Sequence, residues 1–334
     1  MRILIVRTSA LGDAVHALPV LTALRRQLPA AKIGWVAEEA IAPLLAGHPD
    51  LDELLVVRLR HWRRRPLAAR TLAEAARFID ALDRFAPQVA LDLMGNHKAG
   101  VIAALSQCPR RIGPARQERR EPSSALWLTE RVATRGPHAV DRGLSLLDAL
   151  GLERQPADFG GDKLFGGPIG VGATEPFVLL HPGAGWANKV YPAAWWGKAA
   201  QRLRAATGLP TLVAAAGEEP LAEAVAAASA GAARPVAAPT LPQLALLLRQ
   251  ARLVLGGDSG PVHLAHALGT PVLMLMGPTD PERNGPYGAP NQALAKRLPC
   301  SFCYRRFEET KACLLEIPPT QVADRAAALL QTIS

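Results

Sequence analysis

No run of apolar residues in this 334-residue chain reaches the roughly 18–20 that a helical membrane span needs. The opening Met1-Arg-Ile-Leu-Ile-Val-Arg7 is too short for the apolar core of a secretion signal and has no cleavage site. It reads as a first β-strand, and the chain is expected to be cytoplasmic. Aromatic residues make up only 5%, and isoleucine and lysine are sparse beside abundant alanine, a bias expected of a GC-rich genome. No GxxxxGK(S/T) segment occurs, which argues against a P-loop nucleotidase, and no GxGxxG follows the first strand, so the usual dinucleotide fingerprint is missing. Cysteine is scarce as well. Cys108 stands alone, while Cys300, Cys303 and Cys313 form a C-x2-C-x9-C group in the tail. Such a group reads as packing thiols, as a redox pair, or as a metal site short of one ligand that Cys108 or a histidine would supply.

What remains is a globular composition, 49% apolar and 20% charged, with length enough for two domains of about 150 residues. The net charge of +9 favours an anionic partner: nucleic acid, acidic lipid or a phosphorylated sugar. Two arginine blocks lie in the N-terminal half, Arg58-Leu-Arg-His-Trp-Arg-Arg-Arg65 and the group Arg110-Arg111, Arg116 and Arg119-Arg120. They are either solvated surface or an anion-binding face. A nucleic-acid binder would interleave aromatic residues with such blocks. Only Trp62 and Trp127 lie near them, so no nucleic acid is expected.

Short apolar runs alternate with amphipathic stretches. Strands are predicted at Ile3–Val6, Ile33–Ala37, Leu54–Val57 and Val89–Leu93, with helices at 12–28, 71–85, 97–106 and 140–150. Thr71 and Glu74 suggest a capping box at the start of the second helix. Gly160-Gly161, Gly166-Gly167-Pro168 and Gly170-Val-Gly172 then interrupt the periodicity. The alternation resumes with strands at Phe177–Leu180, Thr211–Ala215, Leu253–Leu255 and Val272–Met276, and helices between them. The expected organisation is a domain over 1–155, a linker over 156–175, a second domain over 176–318, and a C-terminal helix over 319–334 packing back on the first domain. Alternating βα units imply parallel sheets covered by helices, with ligands at strand C-termini and helix N-termini.

Three strand-to-helix turns carry chemistry. Gly256-Gly-Asp-Ser-Gly-Pro-Val-His263 aims backbone N–H groups and a helix N-terminus at one point, which suits phosphate. Phe177-Val-Leu-Leu-His-Pro-Gly-Ala-Gly-Trp-Ala-Asn-Lys189 offers a second set of amides. Its Lys189 is either a surface lysine or a phosphate contact. Arg7-Thr-Ser-Ala-Leu-Gly-Asp13 presents a carboxylate that either caps the first helix or serves as a base toward a hydroxyl. Glu218-Glu219 lies beyond a further strand, either favoured by a helix N-terminus or accepting from ribose hydroxyls. Met276-Gly-Pro-Thr-Asp280 follows the last long strand.

Taken in order over essentially the whole chain, the opening Ile3-Leu-Ile-Val-Arg-Thr-Ser-Ala-Leu-Gly-Asp13, His181-Pro-Gly-Ala-Gly185 with Lys189, Asp258-Ser-Gly-Pro-Val-His263 and Gly277-Pro-Thr-Asp280 resemble glycosyltransferase family 9. These are the ADP-heptose:lipopolysaccharide heptosyltransferases. Arg60-His-Trp-Arg-Arg64, Arg120-Glu-Pro122 and His138-Ala-Val-Asp-Arg142 are most similar to the heptosyltransferase I branch. The resemblance implies an α/β GT-B fold: two Rossmann-like parallel-sheet domains with a central cleft, the acceptor in the first and ADP-heptose in the second. It implies inverting, cofactor- and metal-free transfer to Kdo of Kdo2-lipid A by a monomer that touches the inner-membrane surface. By the same resemblance the catalytic residues are Asp13, as the base, and Lys189, on the donor phosphates. Lys189, Gly183, Ala184, Gly185, Glu219, Asp258, Ser259, Gly260, His263 and Thr279 hold the donor, with Glu218 as the alternative to Glu219. Arg60, Arg63 and Arg120 hold the acceptor. The chain departs from the family in Val190-Tyr-Pro192, where tryptophan commonly precedes the proline, and in its cysteine-rich tail. Leu91-Asp-Leu-Met-Gly95 keeps the family's Asp-x-x-Gly.

Overall fold

The computed structural model describes residues 1–166, 175–214, 217–238 and 240–333. The chain divides into two compact units, Met1–Pro168 and Ile169–Ser334. Part of the expected linker, 167–174, and Ala215 at the end of an expected strand lie outside the described residues.

The first unit is a six-stranded parallel sheet of β1 (Arg2–Val6), β2 (Lys32–Glu38), β3 (Glu53–Val57), β4 (Val89–Asp92), β5 (Arg110–Pro114) and β6 (Glu130–Val132). Its strand order is β3-β2-β1-β4-β5-β6. The central strands read as continuous apolar runs because both faces are covered, as parallel sheets require. Ile3, Leu4, Ile5 and Val6 are all fully buried. Trp35 of β2 is buried too, and its indole Nε1 donates to the Arg7 carbonyl at 3.0 Å.

The second unit contains β7 (Val178–His181), β8 (Thr211–Val213), β9 (Ala233–Pro235), β10 (Leu253–Gly257), β11 (Val272–Met276) and β12 (Ala293–Ala295). They lie in the order β12-β11-β10-β7-β8-β9, again all parallel. Read from the other edge this is the same order as the first unit. Each sheet therefore reverses direction between its first and fourth strands. Such a reversal opens a crevice at the strand carboxyl ends where ligands bind.

The C-terminal helix, Pro319–Ile333, buries Val322, Ala323, Ala326, Leu329 and Leu330 in the core of the second unit, against the Ala193–Thr207 helix. Arg202 and Asp324 tie the two helices at 2.8 Å. Tyr191, at the position where the resemblance leads one to expect tryptophan, belongs to this core. Its ring meets Trp196 at 4.9 Å and its hydroxyl donates to the Ile317 carbonyl at 2.6 Å. The departure is accommodated as packing.

The helix read from Thr71 begins at Ala69 instead. Thr71 lies inside it, buried, and its hydroxyl has no hydrogen-bond partner among the described residues. Glu74 does not complete a capping box. It accepts from Trp62 Nε1 at 2.9 Å and pairs with Arg58 and Arg70. A tertiary indole and two guanidiniums outcompete a local backbone bond.

Candidate functional site

In the second unit, β10 ends in Gly256-Gly257, and neither position has room for a side chain. A Cβ on Gly256 would lie 2.7 Å from the His181 carbonyl, and one on Gly257 2.7 Å from the Lys189 carbonyl. The missing Cβ atoms let β10 meet both the end of β7 and the Lys189 loop. That approach brings Asp258 to the centre of a small network. Its Oδ2 takes Lys189 Nζ at 2.6 Å and the Thr279 hydroxyl at 2.5 Å, and its Oδ1 lies 2.8 Å from His263 Nε2. Burial alone would raise the Asp258 carboxyl. His263 and Lys189 reverse that and hold it below the usual carboxylate range. Breaking one partner of such a buried pair typically costs about 3–5 kcal/mol, because the other charge stays buried alone.

Ser259 sits at the mouth of the Gly260–Ala267 helix, buried, and its Oγ has no hydrogen-bond partner among the described residues. Buried polar atoms are nearly always paired, so this hydroxyl is available to a ligand oxygen. The free N–H groups of the helix's first turn point the same way. Across the crevice, His181 Nδ1 lies 3.2 Å from the Gly183 carbonyl, and burial depresses its pKa to about 4. A neutral ring there braces the Gly183-Ala-Gly185 turn.

The two glutamates part company. Glu219 accepts from its own Gly217 amide at 3.1 Å, the local helix-terminus role. Glu218 lies over the glycine turn: a Cβ on Gly183 would collide with its carboxylate. Partial desolvation raises the Glu218 carboxyl above the ordinary range. Of the two carboxylates, Glu218 is the one presented to the Gly183 turn.

The tail holds a feature that sequence reading missed. Trp186 carries two cations, Lys189 Nζ at 4.3 Å and the Arg306 guanidinium at 4.7 Å from the ring centre. Asn188 Nδ2 donates to the Arg305 carbonyl at 2.9 Å, and Phe302 and Tyr304 amides donate to Gly277 and Pro278 carbonyls. The segment 301–310 thus straps the loops after β7 and β11. In sequence the signal is Tyr304-Arg-Arg306, two cations beside an aromatic ring. Those cysteines are free thiols, Cys300 and Cys303 exposed and Cys313 packed on Gly277. Cys108 is buried in the first unit's core. Among the described residues no group of His, Cys, Asp or Glu is arranged to hold a metal ion.

In the first unit, the turn after β1 holds Asp13 one turn into the Leu11–Gln27 helix. The carboxylate both caps, accepting from the Ala10 amide at 3.0 Å, and pairs with Arg7 Nη2 at 2.6 Å. Arg7 also donates to the Leu93 carbonyl. The Asp13 side chain keeps 42% of its surface exposed, so capping leaves it accessible. At the end of β4, Asp92 accepts from the Met94 and Gly95 amides, at 2.9 and 3.0 Å, and shapes the Asp-x-x-Gly turn.

The second arginine block is mostly structural, rather than solvated surface or one anion-binding face. Arg119 is fully buried against Asp92 at 2.6 Å, Arg110 is bidentate to Glu130, and Arg111 donates to the Cys108 and Trp127 carbonyls. Arg120 is exposed. It converges with Arg60 and Arg63 on Lys98, which sequence reading did not single out. Burial and the charges of Arg60, Arg63 and Arg120 hold the Lys98 ammonium below its ordinary range, against the pull of Glu38. Lys98 Nζ also lies 3.4 Å from Ser9 Oγ, in the Asp13 turn.

Comparison with known proteins gives a consistent family. The model of glycosyltransferase family 9 (heptosyltransferase) matches residues 75–313. A lipopolysaccharide heptosyltransferase 1 from Pseudomonas aeruginosa is 31% identical, over 99% of this chain and 98% of its own length. Among solved structures, Escherichia coli heptosyltransferase WaaC with ADP covers 100% of both chains at a TM-score of 0.81 and 24% identity. The same enzyme with ADP-2-deoxy-2-fluoro heptose covers 97% of this chain and 98% of that one, at a TM-score of 0.78 and 27% identity.

Proposed function

Because the chain belongs to glycosyltransferase family 9, the heptosyltransferases, we propose that it transfers heptose from ADP-L-glycero-β-D-manno-heptose to Kdo of Kdo2-lipid A. The transfer inverts the anomeric centre and builds the lipopolysaccharide inner core. The observation that carries the donor half is the unpartnered, buried Ser259 hydroxyl beside the ion-paired Asp258.

In this reading the Gly183–Gly185 turn and the amides at Ser259 and Gly260 take the diphosphate, and the Ser259 hydroxyl donates to one of its oxygens. Lys189 and Arg306, both held on Trp186, meet the charge that develops on departing ADP. Such preorganised donors stabilise a leaving anion without metal help. Asp258, fixed by Lys189, His263 and Thr279, faces the donor heptose, and Glu218 accepts from the ribose. Asp13 takes the proton from the Kdo hydroxyl as its oxygen attacks the anomeric carbon from the face opposite the phosphate. Arg60, Arg63, Arg120 and Lys98 bind the carboxylates and phosphates of the acceptor, where guanidinium forks favour bidentate contact.

The test is mass spectrometry after incubating the protein with ADP-heptose and Kdo2-lipid A. The reading expects one heptose added to the acceptor and one ADP released. Transfer only to an acceptor that already carries heptose would overturn the assigned acceptor and keep the family.

A further inference from the structure

Trp186 opens the single 3₁₀ turn Ala187–Lys189, and its carbonyl takes the Lys189 amide at 3.0 Å. Residues three apart on such a turn eclipse one another. The indole therefore lies against the Lys189 side chain, with Nζ 4.3 Å from the ring centre. The same turn fastens the tail. Asn188 Nδ2 donates to the Arg305 carbonyl at 2.9 Å, and just beyond the turn the Thr310 hydroxyl donates to the Val190 carbonyl at 2.6 Å. The Phe302 and Tyr304 amides hold the tail to the loop after β11, at 3.0 and 2.8 Å from the Gly277 and Pro278 carbonyls. Both residues have a left-handed backbone, with φ of 60° and 54°, which residues other than glycine adopt where surrounding bonds impose it. The tail so held sets the Arg306 guanidinium 4.7 Å from the centre of the Trp186 ring.

Two cations on one ring repel each other, and the electron-rich faces of the indole offset that repulsion. The two differ in what else they touch. Lys189 is largely buried, and the Asp258 carboxylate answers its charge at 2.6 Å. Arg306 is exposed and has no ion pair among the described residues. Glu309, three residues on, takes Lys311 instead. The unspent charge beside the glycine turn is therefore a guanidinium, whose fork suits the paired oxygens of a phosphate. We propose that Trp186 is a positioning residue that holds Arg306 for the distal phosphate of a nucleoside diphosphate, so that the site tells a diphosphate from a monophosphate. Lys189 and the glycine turn serve the phosphate next to the nucleoside, which both ligands carry. The inference rests on the proposed donor and assigns one of its phosphates to the tail.

The experiment is calorimetric titration of the full chain with ADP and with AMP, without heptose or acceptor. The parent should bind ADP more tightly than AMP. Trp186→Leu and Arg306→Gln should each weaken ADP binding by about tenfold and leave AMP binding within about twofold. Trp186→Phe keeps an aromatic face and should restore most of the ADP affinity. In the Trp186→Leu background, Arg306→Gln should cost ADP nothing further, because the ring acts through the guanidinium. Equal losses for ADP and AMP in Trp186→Leu would make Trp186 merely structural and overturn the proposal. Parental ADP affinity in either single variant, or additive losses in the double variant, would overturn it too. No ADP binding by the parent would overturn the donor reading and this inference with it. Discrimination between ADP and AMP, lost in these variants, would support the role of Trp186 even where heptose transfer fails.

Discussion

The two units share one strand order but are electrostatically opposite at their switch points. In the second, charge is internal and compensated: Asp258 is enclosed by Lys189, His263 and Thr279, and the neighbouring Ser259 hydroxyl has no partner among the described residues. In the first, beyond the buried Arg119–Asp92 pair, charge is outward and in excess: Arg60, Arg63 and Arg120 surround Lys98 beside Glu38. The same topology thus makes a preassembled pocket in one unit and an open cationic surface in the other. Topology fixes where a ligand binds, and the side chains at the strand ends fix which.

The sharpest way to separate the two is Asp13→Asn. The amide keeps an oxygen for the Ala10 N–H, so the helix cap survives. Turnover should fall by roughly 10²–10⁴-fold, while ADP affinity measured by calorimetry stays unchanged. Turnover near that of the parent would remove Asp13 as the base.

Acid probes the compensated unit next. His181 has a folded pKa of about 4 against 6.5 for the free side chain. The unfolded chain therefore takes up a proton that the folded chain refuses. Stability is full above pH 6.5 and is lost as pH falls from there toward 4, by roughly 3 kcal/mol. Urea midpoints measured across that window should drop, and His181→Asn should flatten the drop. An identical slope in the variant would place the acid sensitivity elsewhere, for example at His48 or His266, whose burial lowers them in the same sense.

The smallest effect expected concerns Trp186 and its cations. Arg306→Ala should raise the donor KM by about tenfold, on the order of one charge-assisted contact. Lys189→Ala should cost more, because Asp258 loses a buried partner as well. An unaltered donor KM in Arg306→Ala would return the tail to a purely structural role.

Much of the architecture was legible in the sequence, because parallel strands buried on both faces are written as apolar runs. Val272–Met276 was read without error. The strands that escaped were β5, β6, β9 and β12. Three of them have only three residues, and β5 opens with Arg110-Arg111, so none carries a period or an apolar run long enough to read. The turns were legible for a related reason. Gly256-Gly257 permits a close approach that no other residue allows, and that requirement is local.

Which charges are spent and which are free was not local. Arg119 and Arg120 are adjacent in sequence, yet one is buried on Asp92 and the other is exposed. Glu218 and Glu219 are equally adjacent, and only Glu218 reaches Gly183. Lys98 gains its meaning from Arg60, Arg63 and Arg120, which arrive from different strand ends. The βα repetition, the two glycine-bearing turns and the carboxylate after β1 can be read along the chain, since each depends on sequence neighbours. The partner of each of these charges came from folding. Strand order sets that partner, and side-chain hydrogen bonds act only across the few ångströms that folding closes.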